Sequence, residues 1–188
     1  AWDLILLALF AGSVFFTQLG GAKLWDRDEP RNAGCAAEML ARGDWVTPMF
    51  NDELRGQKPV LTYWLMMSAM AVWGTTEFAA RFWSAALGVG TVLLTYLWGR
   101  HLLCAALARW AAIVLSTTLM FTLASRAATP DAPLIFFSTL AITLYTLLTF
   151  RAATAASWDD VLAEDLSTRL RVPGRWFPDW RGAALIYA

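Results

Sequence analysis

Two short acidic turns hold the residue types best suited to chemistry. The first is Asp26-Arg27-Asp28-Glu29-Pro30-Arg31 and the second is Arg126-Ala127-Ala128-Thr129-Pro130-Asp131. Each places a proline where a helix can begin. Beyond the first, Ala33, Ala36, Ala37 and Leu40 recur at helical spacing and predict a short helix with one small apolar face. Beyond the second, a long apolar run starts at once, so Asp131 stands at the mouth of a membrane helix. Carboxylates on one face near a lipid surface suit proton removal from an acceptor hydroxyl, or the binding of a metal. Both turns also admit a purely structural reading. Asp28 or Glu29 would then cap the first helix, and Asp131 would complement a helix dipole.

Cations flank the first turn. Arg31 lies one helical turn past Asp28, and Lys58 precedes Pro59 at the border of the next apolar run. An arginine fork and a lysine at an interface can neutralise a phosphate group. Either can equally be a side chain reaching from a helix end to the membrane surface. Arg55, Arg81 and Arg126 read as interface anchors of that kind.

These residues must be positioned by a membrane protein. Of 188 residues, 58% are hydrophobic and only 16% are charged, and the apolar residues are gathered into long runs. The runs predict spans near 4–19, 79–99, 108–125 and 132–150, with a fifth starting about 182. Val60–Trp73 holds fourteen residues, about 21 Å of helix against a core roughly 30 Å thick. It is read as lying at the interface or against the bundle rather than crossing. Residues 20–77 then form one loop on the same side as the 126–131 turn. Basic residues divide almost evenly between the two sides. The short turn at 99–109 carries basic residues and no acid, which assigns it to the cytoplasm and residues 20–77 to the periplasm. Residues 151–181 become a cytoplasmic loop. The apolar run beginning at Gly182 suggests a C-terminal remainder beyond this N-terminal part.

Other features are bland. Net charge is zero, with no basic stripe or charge block, so no nucleic-acid partner is expected. Cys35 and Cys104 give neither a disulfide framework nor metal spacing, and His101 is the single histidine. Trp25, Trp45, Trp64, Trp73, Trp83 and Trp98 fit an interfacial aromatic belt. Gly88-Val89-Gly90 lies inside a membrane run and reads as a site of close helix contact. The predicted spans from 79 onward contain no acid, which disfavours an ion-coupled transporter.

One ordered set of motifs resembles a known superfamily. Asp28-Glu29-Pro30-Arg31, Glu38-Met39-Leu40, Gly43-Asp44-Trp45-Val46, Lys58-Pro59, Tyr63-Trp64 and Ala128-Thr129-Pro130-Asp131 follow the order and spacing of the aminoarabinose transferase (ArnT-like) and protein O-mannosyltransferase superfamily, over roughly residues 1–150. These are membrane glycosyltransferases of the GT-C fold. The resemblance implies an all-α integral membrane bundle with juxtamembrane helices in the first periplasmic loop, one of them around Val60–Trp73. It implies Asp28 as the catalytic carboxylate and Asp131 as the second acidic site residue. Arg31 and Lys58 become phosphate-binding groups, with Glu29 and Tyr63 beside them on the substrate side. The donor would be a sugar on a polyprenyl-phosphate carrier. The acceptor would be a glycolipid, lipid A above all, or a protein. The setting is the bacterial inner membrane, with the site facing the periplasm and chemistry that inverts the sugar carbon. The family commonly has a glutamate just before the lysine, a metal ligand; here that position is Gln57, so a divalent cation is left open. A non-catalytic lipid carrier or flippase is the competing reading. It needs the helices and the basic groups but not the two acids.

Overall fold

In hydrocarbon every backbone N–H and C=O must be satisfied within its own segment, which forces apolar runs of spanning length into helices. The computed structural model describes residues 2–25 and 27–149. The element order is α1 (Trp2–Phe16), α2 (Asp28–Arg42), β1 (Met49–Phe50), β2 (Glu53–Leu54), α3 (Val60–Trp73), α4 (Glu77–Leu102), α5 (Ala105–Thr117), α6 (Leu119–Arg126) and α7 (Asp131–Thr149). The architecture is all-α apart from one antiparallel two-residue hairpin. The expectations for residues 151–181 and for a helix from about 182 lie outside the described residues.

Helix α4 is the hub. Its 26 residues extend about 39 Å, and α1, α3, α5, α6 and α7 all pack on it. The Thr76 hydroxyl caps its start by accepting the Ala79 N–H at 3.2 Å. The neighbours come close because α4 is lined with small residues. A methyl group added at Gly88 would lie 2.6 Å from Ser125 Oγ of α6, and one at Gly90 would lie 2.6 Å from the Phe136 ring of α7. The two glycines therefore serve close helix contact, as their position in a membrane run suggests.

Packing falls into two clusters. Leu7, Ala11, Phe15, Val92, Ala112 and Phe121 join α1, α4, α5 and α6. Cys35, Met39, Tyr63, Met67, Met70, Ala80 and Ala128 join α2 and α3 to the first turns of α4 and to the turn before α7. The second cluster is the platform on which the acidic turns sit.

Helices α4 and α7 are long and apolar enough to cross a membrane, and α5 with α6 forms a further pair bent by 65°. Helices α1 and α3 are shorter than a span. For α3 this agrees with the expectation from its fourteen residues. The expected span over 108–125 is instead broken at Thr118, whose backbone is extended (φ −66°, ψ 125°). The cause is local. Ser116 Oγ donates to Ile113 O at 2.8 Å, Thr118 Oγ1 to Val114 O at 2.8 Å and Thr122 Oγ1 to Ser116 O at 3.3 Å. Hydroxyls on both sides of the break thus satisfy carbonyls that the bend would leave exposed.

Replacing Gly88 by alanine should lower the thermal midpoint of the purified full-length protein, because overpacking costs about 1–3 kcal/mol. Gly12→Ala, where nothing lies within 4 Å of the added methyl, should leave the midpoint unchanged or raise it.

Candidate functional site

The site is built at the first turn of α2. The helix opens with Asp28 and Glu29 in its positive-dipole turn, and no side chain caps it from Arg27. Pro30 follows where a missing N–H is harmless. Consecutive helical residues point about 100° apart, which gives the two acids different surroundings. Glu29 turns into the protein and is 3% exposed. Asp28 turns outward, its side chain 45% exposed, and accepts a hydrogen bond from Lys58 Nζ at 3.3 Å. Lys58 is delivered by the loop just before α3, where Pro59 starts the helix.

Asp28 and Arg31 share an open, polar cleft of about 430 Å³ with Arg55 and Gln57. The β1–β2 hairpin forms its wall. Asn51 and Asp52 make the hairpin turn with φ of 53° and 62°, a left-handed geometry that Asn and Asp tolerate well. The hairpin is held to α2 by Glu38 Oε1, which accepts the Asn51 N–H at 3.2 Å. Asp44 Oδ1 accepts the N–H groups of Val46 and Thr47 at 2.9 and 3.1 Å, and these bonds hold its carboxyl below the usual range. The Glu38 and Gly43-Asp44-Trp45-Val46 motifs are therefore braces for the cleft.

Behind the cleft lies a buried ion pair. Arg81 uses all five of its N–H donors. Nε and Nη2 reach Glu29 at 2.9 and 2.8 Å, Nη1 reaches the carbonyls of Leu19 and Ala22 at 3.0 and 2.8 Å, and Nη2 also reaches Lys23 O at 3.2 Å. Glu29 is equally saturated. Oε1 also accepts the Ala128 N–H at 2.7 Å, and Oε2 the Trp25 N–H at 3.1 Å. Burial pushes the Glu29 carboxyl up, but the bonds from Arg81, Ala128 and Trp25 outweigh it and hold the group below its ordinary value. Asn32, fully buried, adds a second tie by donating to Ala128 O at 3.0 Å.

This geometry corrects several expectations. Glu29 has no lone pair left for a substrate; it is a structural anchor. Tyr63 is 0% exposed and packs in the core of α2 and α3, so it does not reach the cleft surface. Arg81 is the buried partner of Glu29 rather than an interface anchor. Arg126 donates to the carbonyls of Val14, Phe15 and Thr17 at the end of α1. Asp131 begins α7 and accepts the Thr129 hydroxyl at 3.0 Å. It lines a different, mainly apolar cavity of about 490 Å³ with Trp25, Met120 and Leu123. Asp28 lies against Lys58 and shares the cleft with Arg31, and Asp131 does not join them. Arg55 and Asn32 were not singled out for the site by sequence. Neither lies in a family motif; the fold brings Arg55 to the cleft wall and sets Asn32, fully buried, behind it.

The donor set at the cleft does not suit a divalent cation. Asp28 is engaged by an ammonium, Glu53 is the one further carboxylate on the lining, position 57 offers a neutral amide, and two guanidinium groups share the space; among the described residues no three metal-ligating side chains gather. The chemistry available is therefore that of two carboxylates, Asp28 paired with Lys58 and the exposed Glu53, beside the guanidinium groups of Arg31 and Arg55.

The family model for dolichyl-phosphate-mannose-protein mannosyltransferase matches residues 4–163. The chain belongs to this family. It is 35% identical over 155 residues to the undecaprenyl phosphate-alpha-4-amino-4-deoxy-L-arabinose arabinosyl transferase of Serratia proteamaculans, covering 80% of this chain and 27% of that protein. The transferase of the same name from Yersinia enterocolitica is 37% identical over 155 residues, again with 80% and 27% covered. The fold matches the crystal structure of ArnT from Cupriavidus metallidurans bound to undecaprenyl phosphate, with a TM-score of 0.71 and 26% identity over 81% of this chain and 28% of that one. The chain thus has the GT-C-type helical bundle and spans a little over a quarter of the length of these relatives.

Breaking the buried pair leaves an uncompensated charge in the interior. Arg81→Gln or Glu29→Gln should each destabilise the full-length protein by about 3–5 kcal/mol in thermal unfolding. Arg81→Lys should not restore stability, since an ammonium cannot reproduce the five-donor fork. Because the folded-state value of Glu29 is lowered, its contribution is fully present above about pH 4.3, the unfolded value. It should be lost as pH falls through the lower folded value. Stability measured from pH 7 downward should therefore decline less steeply in Glu29→Gln than in wild type over that acidic window.

Proposed function

We propose that this chain supplies the donor-phosphate side of a glycosyltransferase that moves a sugar from a polyprenyl-phosphate carrier to an acceptor hydroxyl at the periplasmic face of the bacterial inner membrane, with lipid A as the favoured acceptor. The observation that carries the reading is the cleft itself: Asp28 beside Lys58 at 3.3 Å, with Arg31 and Arg55 on the same open surface. The names of the relatives and the undecaprenyl phosphate in the ArnT crystal structure support it.

The reaction is one displacement. The acceptor oxygen attacks the anomeric carbon while the bond from that carbon to the phosphate oxygen breaks. The departing polyprenyl phosphate keeps the electron pair, and the configuration at the sugar carbon inverts. Asp28 accepts the proton of the acceptor hydroxyl. Arg31 and Lys58 stabilise the charge that gathers on the leaving phosphate, as preorganised cations do for other developing oxyanions. Lys58 also holds Asp28 in place in the absence of substrate. Asp131, in its separate amphipathic cavity, is assigned to the acceptor.

Sugar transfer by the full-length protein in membranes should fall about a hundredfold or more in Asp28→Asn, the scale of a lost acid–base group. Binding of the polyprenyl-phosphate sugar should persist in that variant. Unchanged transfer would return Asp28 to a structural role, and a wild type that binds the lipid yet transfers nothing would point to a lipid carrier. Product stereochemistry by NMR tests the inversion.

A further inference from the structure

We propose that Arg55 is a further phosphate-binding residue of the cleft, aimed by Asn32, and that its guanidinium engages the phosphate as it departs more strongly than the intact donor. The inference rests on the glycosyl-transfer reading above. It assigns a role that the order of motifs does not suggest, because Arg55 lies outside each of them.

The guanidinium is fixed from two directions. Nη2 donates to Asn32 Oδ1 at 3.1 Å, and the group lies 5.9 Å from the centroid of the Phe50 ring. Asn32 is itself locked. It is fully buried, and its amide nitrogen donates to Ala128 O at 3.0 Å, so its oxygen must face Arg55. The anchor for Arg55 is therefore the same turn that Glu29 grips through the Ala128 N–H.

The remaining donors are uncommitted. Arg55 Nε is buried without a hydrogen-bond partner, and so is the hydroxyl of Tyr63. Being buried, neither atom meets a ligand in the open cleft; the donors that Arg55 can offer there are those of Nη1 and the second hydrogen of Nη2, which bond no described residue. Among the described residues the ion pairs use Lys58, Arg81 and Arg109, and no carboxylate neutralises Arg55. The contrast with Arg81 is direct: that guanidinium directs all five donors into the protein. Arg55 is held by one hydrogen bond and a ring contact and lines an open polar cleft with Arg31 and Asp28. A held guanidinium with free donors matches the oxygens of a phosphate.

Charge then decides which state it favours. The donor is a phosphodiester with a single negative charge. Cleavage of its bond to the sugar leaves a monoester that carries close to two charges at neutral pH. A fixed cation gains most as that second charge forms, so it lowers the barrier more than it tightens donor binding.

The test uses the full-length protein in membranes. Arg55→Gln should reduce kcat for sugar transfer by about tenfold or more while changing KM for the donor by less than about threefold, the pattern of an interaction made mainly in the transition state. Its affinity for radiolabelled polyprenyl phosphate, the product, should fall by about tenfold. Arg55→Lys keeps the charge and loses the fork, and should fall between the two. Wild-type kcat and product affinity in Arg55→Gln would overturn the proposal, as would equal losses in KM and product affinity at unchanged kcat. If Arg55→Gln does not fold, Arg55→Lys decides: an intermediate loss supports the proposal, and wild-type values overturn it. If wild type transfers no sugar from any polyprenyl-phosphate donor, the glycosyl-transfer reading fails. Product binding by wild type against the Arg55 variants still settles whether Arg55 holds phosphate.

Discussion

The buried pair between Arg81 and Glu29 is the constraint on which the rest depends. A guanidinium and a carboxylate removed from water are costly unless every donor and acceptor is satisfied. Here they are, with the partners drawn from four separate stretches of chain. Arg81 is on α4, Glu29 on α2, the carbonyls of Leu19, Ala22 and Lys23 follow α1, and the N–H groups come from Trp25 and Ala128. Neither α2 nor α4 can shift on its own without leaving a charge or a carbonyl unpaired. The membrane helices and the polar loop between α1 and α3 become one unit through this node.

The node also explains how two adjacent acids differ in role. With Glu29 drawn into the core, helical geometry turns Asp28 outward to Lys58 and the cleft. Asn32, one turn along the buried face, reads the same Ala128 through its carbonyl and presents its own oxygen to Arg55. Ala128 is thus held through both of its flanking peptides, its N–H by Glu29 and its C=O by Asn32. It connects the turn that carries Asp131 to the cleft that carries Asp28, although the two aspartates line different cavities.

Much of this was legible in the sequence, and the gaps have physical causes. Helix α3 and its failure to span follow from the length of the run Val60–Trp73. The close contacts at Gly88 and Gly90 follow from small residues in a membrane run. Helix α2 follows from the spacing of Ala33, Ala36 and Leu40, and the place of Asp28 against Lys58 and in one cleft with Arg31 from motif order. The break at Thr118 was missed because hydropathy reads Ser116-Thr117-Thr118 as a mild dip, whereas their hydroxyls support a bend. Arg81 reads as an interface anchor because a charge near a membrane boundary has the same sequence signature whether it faces lipid headgroups or a buried partner, and Glu29 reads as a cap or a substrate-side residue because its partner is remote in sequence. The pair is separated by 52 residues, and nothing local joins them. Tyr63 was assigned to the substrate by its place in a motif, while the fold uses the ring as core.

Amide hydrogen exchange on the full-length protein, wild type against Glu29→Gln, tests the central claim most directly. If the Arg81–Glu29 node unites the two acidic turns, exchange should accelerate together at 24–32 and at 126–131, with the middle of α4 unchanged. Faster exchange confined to the α2 segment, with the 126–131 turn as protected as in wild type, would contradict the account.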